Sequence, residues 1–252
     1  RQKGCKGDSL KLALDIENDL DFDYIVTNRT GKFIQYFSYN EDAFMANFPN
    51  SKLYITNHHQ AHAANAFYTS EFEDALIITI DGGGVDYNDG RENTWGDLDS
   101  MPNSNAKITA TTFWLGEGNK IKPIEVIDRA KLNVGVYWDH CTYHIFGLNR
   151  NAVKRGEEGT VMGMAAFGDA DRYIGHFKNM GSGGTGPDNI DFLIEEASKS
   201  EQNKFDIAAS LQLETERVCK NLFDSYVEKY KPKNICLSGG VSLNCVMVGK
   251  MF

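Results

Sequence analysis

The chain has 252 residues, of which 41% are hydrophobic and 24% charged, and it carries a formal net charge of −9. That length fits one large domain or two closely packed lobes, and the composition is ordinary for a globular protein. The acidic balance argues against a nucleic-acid partner, which needs a basic patch, and no apolar run approaches the about 18 residues of a membrane span. Five cysteines without regular spacing argue against a disulfide framework or zinc ribbon. They suit reduced thiols in a cytoplasmic protein, with Cys219 and Cys236 as small core hydrophobes.

In chain order, 8–20 reads as a helix with apolar Leu10, Leu12, Ala13 and Ile16. Tyr24 to Thr27 and Leu53 to Thr56 read as short strands, and His58 to Tyr68 as a buried helix of small and aromatic residues. Ala75 to Ile80 has the continuous apolar run of a buried strand, and a polar excursion from Gly82 to Asn105 follows. Lys107 to Leu115 and Ile121 to Ile127 predict a hairpin about a turn at Gly116 to Asn119. Leu132 to Phe146 is helical in spacing, and Gly181 to Pro187 reads as a flexible loop. Asp206 is a good N-cap for a helix reaching about Lys229. The strand Ile235 to Leu237 then ends at Ser238-Gly239-Gly240, before a helix from Leu243 to Lys250. Strands, a hairpin, helices and a strand–glycine turn–helix together fit an α/β nucleotide-binding architecture.

Three of the six histidines lie in His58-His59-Gln60-Ala61-His62. On a helix His58 and His62 share a face one turn apart and can hold one metal ion; His59 could equally be the partner of His62. A third ligand is needed, and Asp81 is the nearest candidate, although a carboxylate at a phosphate turn often positions magnesium or water instead. Asp81-Gly82-Gly83-Gly84 and Ser238-Gly239-Gly240 both follow strands, where backbone N–H groups can approach a phosphate. The second pair, His140 and His144, sits among aromatics and reads as packed or surface helix histidines. Glu157-Glu158-Gly159-Thr160-Val161-Met162-Gly163-Met164-Ala165 pairs acids with small residues, and close packing explains its glycines but not its acids.

These four motifs, in this order, resemble the NodU/CmcH family of O-carbamoyltransferases. The resemblance implies two actin-like (ASKHA) lobes, about 1–130 and 131–252, with mixed sheets flanked by helices and a ligand cleft between them. It implies that carbamoyl phosphate and ATP, with Mg²⁺, give carbamoyl-adenylate in a separate YrdC-like domain, and that the actin-like domain passes the carbamoyl group to a small-molecule hydroxyl acceptor. On the matching positions, His58 and His62 bind a divalent metal, iron in some members. Asp81, Gly82 and Gly84 face the ligand, Glu158, Gly159 and Gly163 line the nucleotide cleft, and Gly239, Gly240 and Asn244 hold the nucleotide. Asp81, His58 and His62 are then the catalytic candidates, with Asp81 or a neutral histidine taking the hydroxyl proton.

Thr160 stands where the family usually has lysine, and Ala166-Phe167 where it has Pro-Tyr. The family's first Gly-rich motif and its downstream Asp-Asp-Gly motif, expected to supply the third metal ligand, are not in this sequence. The expectation is therefore an internal stretch of the catalytic domain, truncated at both ends, without the YrdC-like domain and inactive alone. Two other readings remain: a phosphotransferase or phosphatase on the same scaffold, and a non-catalytic nucleotide-binding module.

Overall fold

The computed structural model describes residues 22–28, 48–84, 108–148 and 156–251. The expected helix over 8–20 and most of the excursion between Gly82 and Asn105 lie outside the described residues. Strands β1 (Tyr24–Asn28) and β2 (Lys52–Thr56) pair in parallel. Helix α1 (His58–Tyr68) follows β2 directly. Its entry is fixed by Gln60, whose Oε1 accepts from the Thr56 hydroxyl at 3.1 Å and the Asn57 N–H at 3.4 Å. That arrangement satisfies backbone and side-chain donors at the helix start.

A second, four-stranded sheet runs in the order β5-β4-β3-β6. It comprises β3 (Asp74–Gly84), β4 (Thr109–Glu117), β5 (Lys120–Asp128) and β6 (Ile235–Ser238). The first three are antiparallel neighbours, while β6 lies parallel to β3. The sheet is thus mixed, with helices on both faces: the α/β class expected. β6, which follows the helices, pairs with β3, so strands far apart in sequence share one sheet.

Period-two alternation along β3 explains its burial. Leu76, Ile78 and Ile80 enter the larger core with Val134, Tyr137, Phe223 and Tyr226. Ala75 and Ile77 turn to the opposite face, against Ala63, Phe67 and Trp114. Each fully buried aliphatic side chain contributes roughly 1.5–3 kcal/mol, which is why this strand carries no polar residue before Thr79 except at its exposed start, Asp74. The hairpin turns at Gly118-Asn119, with Gly118 at φ +56° and Glu117 paired to Lys120. Gly116 belongs to β4, paired with Ala75 and Ile121, and a Cβ there would stand 2.8 Å from the Phe67 ring.

Beyond the sheet come α2 (Val134–His144), α3 (Glu158–Met164), α4 (Ile190–Lys199), α5 (Glu201–Tyr230) and α6 (Cys245–Gly249). Among the described residues no helix is long and apolar enough to cross a membrane. Cys141, Cys219 and Cys236 are free and buried, and Cys245 is exposed. Burial pushes the Cys219 thiol up to about 12.

Two expected boundaries shift. The long helix starts at Glu201, capped by Ser200, whose side chain accepts from the Asn203 N–H. Asp206 lies inside it, buried, and accepts from the Asp169 N–H, Gln202 Nε2 and Arg172, each at 2.8 Å. The last helix begins two residues late, because Asn244 accepts from the Met247 N–H and restarts the helix after a 3-10 turn at Val241–Leu243. The segment read as a flexible loop is tied down by Asn179, whose Nδ2 donates to the Gly186 carbonyl and to Asp188.

Replacing Asp206 by alanine strips three donors of their acceptor. It is expected to lower the unfolding free energy by about 1–3 kcal/mol; an unchanged urea midpoint would show that the carboxylate is not held this way.

Candidate metal centre and ligand cleft

The parallel pairing of β3 with β6 ends with Thr79 opposite Ser238 as its last register pair. β6 then enters the Gly239-Gly240 turn, whereas β3 runs on through residues 81–84, past an irregularity between Ile80 and Gly84, so the glycine turn expected after Asp81 is extended strand. Gly239 takes φ +102°, and a Cβ there would overlap the Ile80 carbonyl. A Cβ on Gly240 would stand 2.7 Å from Asp81 Oδ1. The β6 turn therefore touches β3 at Ile80 and Asp81, just beyond the end of the parallel pairing, the kind of place where open α/β sheets bind ligands.

A cleft of about 450 Å³ opens there, the size of a small-molecule site. Of the residues expected from sequence, Asp81, Gly82, Glu158, Gly159, Gly240 and Asn244 line it. Gly84, Gly163, Gly239, His58 and His62 do not. Gly84 lies under the His58 ring, which a Cβ would overlap, and Gly239 lies under Ile80. Gly163 sits one turn along α3 from Gly159.

The histidines lie on the other side of Asp81. His58 Nε2 and His62 Nε2 are each 3.0 Å from Asp81 Oδ2, and one ligand atom from each of the three residues falls within 4.8 Å of the others. Two imidazole nitrogens and a carboxylate oxygen form a donor set suited to zinc or iron. The residues therefore fit a divalent transition metal, with Asp81 as the third ligand. Burial alone would raise the Asp81 pKa, but hydrogen bonds from His58, His62 and the Gly82 N–H (2.7 Å) overcome it and hold the carboxyl well below the usual range. It stays ionised, ready to ligate. Ser238 Oγ stands 3.4 Å from His62 Nδ1, an outer partner of the kind that orients a ligating imidazole.

His59 faces inward, fully buried, with Nδ1 3.2 Å from Thr79 Oγ1. Burial, then the charge of His58, pushes its pKa down to about 3, so the ring is neutral.

Sequence reasoning missed the wall that α2 supplies through Gly135, Val136, Trp138 and Asp139. Gly135 was the available signal, because a glycine inside a helical pattern marks close backbone approach. A Cβ there would overlap the Gly82 backbone. His140 and His144, with ring centroids 4.3 Å apart, lie outside the cleft lining. Asn244 spends its amide on Gln212, donating to Oε1 at 2.7 Å and accepting from Nε2 at 3.2 Å. It shapes the wall by holding the turn.

The model of the family described as the carbamoyltransferase N-terminus matches residues 30–252. The chain belongs to the carbamoyltransferase N-terminal family. It is 27% identical over 224 residues to the uncharacterized protein sll1178 of Synechocystis, covering 79% of this chain and 32% of that one. Nodulation protein NolNO of Sinorhizobium fredii is 27% identical over 215 residues, 80% of this chain and 27% of the relative. Nodulation protein NolO of Bradyrhizobium diazoefficiens is 28% identical over 209 residues, 77% and 33% respectively. The chain thus spans a third or less of the length of these relatives.

In this carbamoyltransferase N-terminal domain the glycines divide into packed and open positions. Gly135→Ala is expected to cost about 1–3 kcal/mol by overpacking against Gly82. Gly159→Ala meets nothing within 4 Å and is expected to change stability by less than about 1 kcal/mol. Thermal unfolding of the two variants checks the contrast; equal effects would contradict the close contact between α2 and β3 at Gly82.

Proposed function

We propose that this domain binds the activated carbamoyl donor of a carbamoyltransferase and transfers its carbamoyl group to an acceptor hydroxyl. We further propose an actin-like (ASKHA) scaffold, for which the three antiparallel strands, the parallel fourth and the β6 glycine turn touching the end of β3 speak. One observation carries the reading: Asp81 is shared, meeting both histidines with one face and lining the ligand cleft with the other.

The donor is carbamoyl-adenylate, made from carbamoyl phosphate and ATP with Mg²⁺ in another part of the whole protein. Its adenylate lies against the glycine-rich end of β3 and the β6 glycine turn, where backbone approaches closely enough for main-chain N–H groups to reach phosphate oxygens. A divalent ion held by His58, His62 and Asp81, iron by the family resemblance, would supply Lewis acidity toward a carbamoyl or phosphoryl oxygen. The acceptor oxygen bonds to the carbamoyl carbon, the bond from that carbon to the phosphate oxygen breaks, and AMP leaves with the electron pair. The hydroxyl proton passes to a base. Asp81, which would ligate the ion and accepts from the Gly82 N–H, is a poor base in that state; Asp139 and Glu158 are further carboxyl-bearing residues of the same cleft.

Incubated with carbamoyl phosphate, ATP, Mg²⁺ and Fe²⁺, the product of the complete gene is expected to form AMP and pyrophosphate, read by mass spectrometry. AMP release in His62→Ala is expected to fall to background. ADP would instead indicate a phosphotransferase on the same scaffold, and no turnover would leave a nucleotide-binding module.

A further inference from the structure

The middle histidine of the triplet belongs neither to the cleft lining nor to the three-ligand cluster, yet it is buried completely. Burying a polar ring costs stability unless its hydrogen bonds are met, so its placement needs a reason. Thr79 and Asp81 are two residues apart on β3 and project from the same face of the strand. Helix α1 lies across that face and touches it at two polar points. His59 meets Thr79, and one step along, His58 and His62 meet Asp81. The first point is dry. The second opens toward the cleft.

The dry point has a fixed proton order. Trp114 Nε1 can only donate, and it lies 3.1 Å from Thr79 Oγ1. Thr79 sends its own proton to the Thr112 carbonyl at 3.1 Å. With that proton on the carbonyl, the hydroxyl's remaining lone pair is open to His59, an arrangement that places the imidazole proton on Nδ1. One hydroxyl from β3 is thus saturated by an indole from β4, a carbonyl from β4 and an imidazole from α1. Two of the partners come from β4 and the third from α1, so α1 can neither slide nor rotate on β3 without breaking a buried bond.

We propose that His59, locked through Thr79 and Trp114, is a positioning residue that sets where His58 and His62 stand over Asp81. This rests on the reading of His58, His62 and Asp81 as a metal centre. The ring centroid of His59 lies 5.5 Å from that of His58 and 6.4 Å from that of His62, so a shift of the inner ring is passed directly to the outer pair.

Two measurements test it. Imidazole ¹⁵N NMR on the wild-type domain is expected to show His59 neutral with its proton on Nδ1; a proton on Nε2 overturns the lock, whatever the variants do. Titration with Co²⁺ is then compared in wild type, Thr79→Ser, Thr79→Val and His62→Ala. Thr79→Val keeps the shape but removes the hydroxyl, and is expected to bind Co²⁺ about 10–100-fold more weakly with an altered visible spectrum. Thr79→Ser restores the hydroxyl and is expected to restore both. A Thr79→Val protein with native circular dichroism and unchanged Co²⁺ affinity and spectrum overturns the proposal. Should Thr79→Val fail to fold, the tautomer in the wild type decides. Wild-type protein with no Co²⁺ binding that depends on His62 would instead sink the metal centre itself, an outcome separable from loss of the lock alone.

Discussion

Everything at the site depends on how helix α1 lies on strand β3. The helix runs opposite to the strand. Phe67 at its far end reaches Gly116, which pairs with Ala75 at the start of β3. Its first residue, His58, reaches Gly84 and Asp81 at the strand's end. Between these ends the contact changes from apolar to polar in strict order. Ala75 and Ile77 pack with Phe67 and Ala63, Thr79 takes His59, and Asp81 takes His58 and His62. The apolar end supplies the burial that holds the helix down, and the polar end uses the rigidity so gained. A carboxylate between two imidazoles on a mobile helix would have no defined geometry to offer.

Asp81 is the hinge between two otherwise separate pieces of chemistry. Its Oδ2 is committed to the histidines, and its Oδ1 accepts from the Gly82 N–H and lies within reach of Gly240. The β6 turn can come that close only because Gly239 adopts a positive φ beneath Ile80 and Gly240 has no side chain. From the opposite face α2 closes in through Gly135 on Gly82, with equally little space. Absence of side chains at these three glycines is what lets four segments meet around one carboxylate.

Some of this could be read from residue order, and the reason is local. The strand at 75–80 and the helix from His58 announce themselves by periodicity, and the i, i+4 spacing of His58 and His62 is a property of one helix turn. Asp81 as their shared partner is not local. It lies 19 and 23 residues away, and only the packing of α1 on β3 brings it there, so the sequence offers Asp81 as the nearest candidate ligand without deciding between that role and a phosphate-turn acid, while the family resemblance points to a downstream aspartate. The start of α5 failed for another reason. Ser200 and Asp206 are both good caps, and the choice fell to tertiary contacts, since Asp206 is needed by Arg172, Gln202 and the Asp169 N–H. Gly116 misled in the same way: it reads as a turn residue and serves as floor space for Phe67.

The second wall of the cleft is held from a different layer. Asn244 caps α6 and pairs with Gln212, Gln212 donates to Glu216 at 2.9 Å, and Glu216 receives Lys250 at 2.6 Å. This chain of bonds ties the β6 turn to α5, whereas the glycine-rich end of β3 is tied to α1 and α2. Polar networks of this kind are rigid when every member is satisfied and costly when one is lost. The β6 turn and the end of β3 meet at Gly239, Gly240, Ile80 and Asp81, beside the β3–β6 pairing and the Ser238–His62 contact that already join their layers. A ligand lying across both would bind the two layers more firmly to each other, so its binding energy would also stiffen the carboxylate that the histidines share.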